Sequence, residues 1–149
     1  MTIMRKGPEA FHSLHRHGFV RVATATPRVR PADVSFNRDA VIAEARRAHD
    51  AKADLVVFPE LCVSSYAIDD LHMQTALLDA VEAALALIVE ASAKLAPALL
   101  VGAPLRHEGR LYNCAVVISR GHILGIVPKS FLPNYRESTK SAGSPRGAA

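Results

Sequence analysis

The stretch Asp54-Leu-Val-Val-Phe58, stopped by Pro59, limits the architecture of this chain more than any other. Apolar side chains on both faces of a strand must be covered on both faces, and such strands occur inside parallel sheets flanked by helices. The segments on either side fit that demand. Phe19 to Ala25 reads as a strand closed by Pro27, and Ser35 can cap a helix over Phe36 to Lys52. That helix carries Val41, Ala45 and Ala48 on one face and Arg38, Arg46 and Arg47 opposite. A second helical pattern runs from Asp69 to Leu95, with Leu77, Val81, Leu85 and Ile88 on one face, and Pro97 closes it. Ala98 to Ala103, Leu111 to Ser119 and His122 to Val127 follow as strands, with Arg120-Gly121 as a two-residue hairpin turn. The predicted order is β-α-β-α-β-β-β, a mixed α/β layout with helices packed on a sheet.

Composition removes several classes of function. The formal charge of +4 falls to +2 once Lys140 and Arg146 of the last twelve residues are set aside, and the remaining charges are interspersed in sign. No aromatic residues interleave with a basic stripe, so nucleic-acid binding is not expected. The longest apolar stretch, Ala83 to Val89, lies between Glu82 and Glu90 and is far shorter than a membrane span. Cys62 and Cys114 are too few for a disulfide-stapled secreted domain, and Met1 to Ser13 has no signal-peptide core. A cytoplasmic chain that meets neither membrane nor nucleic acid is the expectation. Histidines 12, 15 and 17 lack the ligand count and spacing of a metal site, and none is expected there.

Three charged residues stand where chemistry is expected. Glu60 follows the buried strand, Lys129 ends the last hairpin strand, and Glu137 lies eight residues beyond Lys129. Strand ends of layered α/β domains commonly carry sites. A carboxylate can take a proton from a nucleophile, and a fixed cation can hold charge developing on an amide oxygen. Cys62 and Cys114 read as small buried hydrophobes.

The residues around those charges narrow the reading. Phe58-Pro-Glu-Leu-x-x-Ser-x-Tyr66, Leu111-Tyr-Asn-x-Ala-Val-Val-Ile118 and Val127-Pro-Lys-Ser-x-Leu-Pro-Asn-Tyr-x-Glu137 stand in this order and spacing. Together they closely resemble the nitrilase, or carbon–nitrogen hydrolase, family. Within it, His17 to Ala23 and Leu132 to Tyr135 are most similar to the glutamine-hydrolysing domains attached to NAD synthetases. The resemblance covers about Phe19 to Glu137 and implies an α/β fold, the αββα sandwich, of which residues 1–137 are an incomplete, N-terminal part. It implies Glu60 as general base, Lys129 as the cation on the oxyanion, and Glu137 as a second carboxylate orienting the lysine or substrate. Tyr66 and Tyr135 match positions expected to line the glutamine pocket. The intact enzyme would hydrolyse glutamine through a cysteine thioester and pass ammonia to a domain that amidates nicotinic acid adenine dinucleotide. It would use ATP and Mg²⁺ and assemble as a homo-oligomer. The alternatives are a piece of a free-standing amidase or nitrilase, and a non-catalytic interaction protein.

The resemblance places the nucleophilic cysteine forty or more residues beyond the lysine, so neither cysteine of this chain matches it, and the chain is expected to be inactive alone. The synthetase half, with its ATP loop, is likewise expected to be missing. Residues 138–149 hold no large apolar side chain and are expected to be a disordered tail. They also look out of frame. Relatives continue after the equivalent of Glu137 with Phe-Tyr-Glu-Lys-Arg-Trp-Phe-Ala-Pro-Gly. Written as TTC TAC GAA AAG CGC TGG TTC GCC CCG GGC and read after loss of the first T, that continuation gives Ser-Thr-Lys-Ser-Ala-Gly-Ser-Pro-Arg, which is residues 138 to 146. A one-nucleotide loss after the Glu137 codon is the expected cause.

Overall fold

A computed structural model of the chain describes residues 13–130. Tyr135, Glu137, His12 and the 138–149 tail lie outside the described residues. Five strands and two helices follow the predicted order: β1 Val22–Thr24, α1 Val34–Asp50, β2 Leu55–Val57, α2 Thr75–Ser92, β3 Ala98–His107, β4 Arg110–Ser119 and β5 His122–Pro128. Short 3-10 turns occupy Leu14–His17 and Asp69–Met73. The sheet runs β1-β2-β3-β4-β5, with β1, β2 and β3 parallel and β3, β4 and β5 antiparallel. The two helices are the crossovers that parallel neighbours require.

Alternation in the strands divides the sheet into two faces. Val56, Leu99, Val101, Ala103, Val116 and Ile118 pack into one core with Val41, Ala45 and Ala48 of α1 and Val81, Leu85 and Ile88 of α2. Both helices therefore cover the same face, each through its apolar stripe. The alternate residues Leu55, Val57, Leu100 and Val117 are half-buried on the opposite face, where Val22 and Val127 are exposed. No described helix is long and apolar enough to cross a membrane.

Four local expectations are corrected. Asp33, not Ser35, caps α1: its carboxylate accepts from Phe36 N at 3.1 Å and from the Ser35 hydroxyl at 3.0 Å, and these bonds hold its pKa below the usual carboxylate value. The second helix begins at Thr75 rather than Asp69, because Gln74 is extended at φ −74 and ψ 124. No breaker residue marks that step, so the helical pattern ran through it. β1 is shorter than Phe19 to Ala25, since only Val22–Thr24 have β2 to pair with.

β3, finally, continues past Ala103 through Pro104 to His107. Pro104 pairs with Asn113, whose carbonyl points to β5, so the Pro104 nitrogen faces the side where β2 has already ended. A proline is tolerated where no ladder bond is needed. The β3–β4 turn, Glu108-Gly109, has both residues at positive φ (48 and 73), as does Arg120-Gly121 (49 and 81). These are the left-handed pairs that two-residue hairpins use.

Candidate active site

Glu60 and Lys129 meet. Lys129 Nζ donates to Glu60 Oε1 at 2.7 Å, across 69 residues of sequence. The same oxygen accepts from Asn113 Nδ2 at 2.5 Å. Both charged side chains keep over a third of their surface in water, at 41% for Glu60 and 35% for Lys129. An ion pair so exposed contributes at most about 1 kcal/mol to stability.

The sheet alone would not bring these groups together. Glu60 follows β2 and Lys129 follows β5, and with β3 and β4 between them the strand axes are about 14 Å apart at the usual spacing. The segment after β2 closes the gap by lying directly on β3. A Cβ built on Gly102 would fall 2.5 Å from both Pro59 O and Leu61 N and 3.0 Å from Glu60 C. Only a residue without a side chain lets Glu60 lie there.

From that crossing the chain turns inward as a tightly bonded loop. Ser65 N donates to Leu61 O at 2.8 Å, Val63 N to Gly102 O at 3.4 Å and Ala32 N to Ser64 O at 3.1 Å. Residues 61–65 are all buried. Asn37 of α1 is fully buried beside this loop and donates to Val63 O at 3.1 Å and Arg30 O at 2.9 Å while accepting from Arg30 N at 2.7 Å. The exposed carboxylate of Glu60 thus projects from a rigid, buried support.

Lys129 is set by the other strand pair. Pro128 is the last residue of β5, opposite Cys114, and the next amide, Lys129 N, donates to Asn113 O at 2.8 Å. Tyr66 follows the buried loop and is 41% exposed. Tyr135 and Glu137, the remaining predicted site residues, fall outside the described residues.

Neither cysteine is placed to be a nucleophile. Cys62 is 2% exposed, its Sγ lies 3.5 Å from Gly102 O, and burial pushes its thiol pKa up to about 11. Cys114 is buried in β4, and burial raises its thiol pKa as well. A protonated, inaccessible thiol does not attack. Of the clustered histidines, His15 has a plain structural contact, with Nε2 2.7 Å from Asp54 Oδ1. Among the described residues no group of three or more His, Cys, Asp or Glu is arranged to hold a metal ion.

Asn113, Gly102 and Asn37 were not singled out from the sequence. The only signal for Asn113 was its place inside the Leu-Tyr-Asn motif; for the other two there was none.

Comparison with known proteins identifies the family and the fold. Residues 20–145 match the model of the carbon–nitrogen hydrolase family. The glutamine-dependent NAD(+) synthetase of Mycobacterium tuberculosis is 55% identical over 127 residues, which are 85% of this chain and 19% of that protein. The chain thus spans about a fifth of the length of the curated relatives it matches. Among solved structures, the glutamine-dependent NAD+ synthetase of Acinetobacter baumannii superposes with a TM-score of 0.76 at 27% identity, over 87% of this chain and 24% of that one. An amidase from Nesterenkonia sp. superposes at 0.69 with 25% identity, over 87% and 49% of the two chains.

Proposed function

The chain belongs to the carbon–nitrogen hydrolase family, and on that premise we propose that it carries part of the glutamine-hydrolysing site of a glutamine-dependent NAD synthetase. One observation carries the reading: the 2.7 Å contact of Lys129 Nζ with Glu60 Oε1. It joins a carboxylate and an ammonium, both partly exposed, which supports pairing a base with a cation.

Glu60 would take the proton of a cysteine thiol, and the thiolate would attack the side-chain amide carbon of glutamine. The Lys129 ammonium, fixed beside the base, would hold the oxyanion of the tetrahedral adduct, where a positioned charge is worth most. As the adduct collapses, the C–N bond breaks and Glu60 returns its proton to the departing ammonia. Water, deprotonated by Glu60, would then cleave the thioester to glutamate and restore the thiol. Tyr66 would line the substrate, with Tyr135, and Glu137 would orient Lys129 or the substrate.

The sulfur in this scheme is neither Cys62 nor Cys114, both of which are buried. The 149-residue chain alone is therefore inactive toward glutamine in this reading. In the intact enzyme the ammonia passes to an ATP-dependent amidation of nicotinic acid adenine dinucleotide. ATP and Mg²⁺ are assigned to that synthetase part, and the intact enzyme to a cytoplasmic homo-oligomer. Residues 138–149 are read as an out-of-frame tail, which sequencing the locus on both strands tests directly: absence of a frame encoding the usual continuation would end that reading.

The similarity to an amidase supports a second reading, a free-standing amidase, but 55% identity with the synthetases favours the first. The test is ammonia release from glutamine. The product of an intact gene should release it, and Glu60→Gln or Lys129→Ala should abolish release. An intact product that hydrolyses simple amides but not glutamine would move the assignment to the second reading.

A further inference from the structure

Asn113 touches both charged members of the site, and with different parts of itself. Its side-chain Nδ2 donates to Glu60 Oε1 at 2.5 Å, while its main-chain oxygen accepts from Lys129 N at 2.8 Å. We infer that Asn113 is a positioning residue that fixes the Glu60 carboxylate relative to Lys129. This rests on the reading of Glu60 as the base.

The chemistry makes the side-chain contact directional. A carboxylate only accepts, so the amide must turn its NH₂ end to Glu60, and a planar amide fixes the plane and angle of approach. An ammonium does neither: it is a compact charge on a flexible stem with three rotatable donors. The Lys129 contact by itself therefore does not define the plane of the Glu60 carboxylate. The amide of Asn113 projects from the middle of a paired strand, on the same face as the missing Cβ of Gly102.

The main-chain contact sets the other half of the geometry. Cys114 and Pro128 form a non-hydrogen-bonded pair, so the next donor from this strand end to β4 is Lys129 N. The bond to Asn113 O therefore decides how far along the strand direction the lysine is carried. Substituting the Asn113 side chain leaves this backbone bond in place, which separates positioning of the base from strand pairing.

The test uses the full 149-residue chain, labelled with ¹³C at its glutamate carboxyls. The chain has seven glutamates, and the Glu60 signal is the one missing in Glu60→Gln. Losing a donor to the charged form raises a carboxyl's titration midpoint, so Asn113→Leu should move the Glu60 signal to higher pH. Asn113→Asp, nearly the same shape but a like charge, should move it further, and Asn113→Gln, which keeps the amide, should recover part of the shift. If Asn113→Leu does not fold, the Asp and Gln pair carries the comparison. A Glu60 midpoint equal in wild type and in the Leu variant, or in the Asp and Gln variants, would overturn the inference.

The readout contains no glutamine, so its failure is distinct from failure of the amide-hydrolysis reading. Should the intact enzyme hydrolyse glutamine without Glu60 or Lys129, that reading falls while the Asn113 effect on Glu60 stands.

Discussion

Gly102→Ala tests how the fold delivers Glu60, and the sign of its effect is diagnostic. Gly102 is not at positive φ, so alanine there brings no backbone strain. Were there open space around it, the substitution would stabilise the protein by about 0.4–1 kcal/mol, through the lower entropy of the unfolded chain. The structure predicts the opposite. The new methyl would lie 2.5 Å from Pro59 O and Leu61 N, both backbone atoms that no rotamer change can move aside. Reaching ordinary contact at 3.4 Å needs a displacement of about 0.9 Å by the loop or by β3. Overpacking of this kind costs about 1–3 kcal/mol. With a urea dependence of about 2 kcal/mol per molar, the unfolding midpoint should fall by about 1 M. The same 0.9 Å would take Glu60 Oε1 from 2.7 Å to beyond hydrogen-bond reach of Lys129 Nζ unless both moved together. The assay is urea unfolding followed by circular dichroism. A midpoint equal to or above that of the wild type would refute the reasoning, since it would mean that the loop does not rest on Gly102.

Other perturbations test the remaining links. Asn37→Ala leaves Val63 O and both backbone groups of Arg30 without their buried partner, and should cost about 3 kcal/mol by the same unfolding assay; a cost under about 1 kcal/mol would show that the loop does not depend on α1. Cys62 gives a pH signature. Its pKa is raised in the folded state, to about 11 from 9.0, so its contribution is complete below pH 9 and is lost as pH rises through 11. The loss should approach roughly 2–3 kcal/mol, and Cys62→Ala should flatten that alkaline limb; an equally steep limb in the variant would assign it elsewhere. In native protein both thiols should resist an aromatic disulfide reagent and react in denaturant, and prompt reaction of Cys62 in the folded chain would contradict its burial. Glu60→Gln and Lys129→Ala should each change stability by under about 1 kcal/mol, yet reduce glutamine hydrolysis by the intact enzyme at least a hundredfold; a large loss of stability would make the pair structural instead.

Local chemistry explains how much could be read in advance. The α2 stripe was legible because Leu77, Val81, Leu85 and Ile88 recur at helical spacing, and all four are buried. The Asp54–Phe58 run was legible as a strand, but not its exposure: Val56 is fully buried between parallel neighbours, whereas Leu55 and Val57 are only half-buried, because both helices cover one face and leave the other open. What misled was local as well. Ser35 is as good a capping side chain as Asp33, and nothing in residues 69–74 announces that Gln74 leaves the helix. Proline after Ala103 looked like the end of a strand because the sequence does not tell which neighbour that nitrogen faces.

The sequence by itself determined which segments are helix and strand, which of their faces turn inward, and which acid and which lysine are candidates for chemistry. These follow from periodicity and side-chain type, which act within a few residues. Only the tertiary structure decided that Glu60 and Lys129 touch, that Asn113 holds both, and that Gly102 and Asn37 support them. An asparagine or a glycine has the same local preferences in a turn, a strand or a site. Its role is fixed by neighbours brought from distant parts of the chain through strand order and packing, and no local pattern records those neighbours.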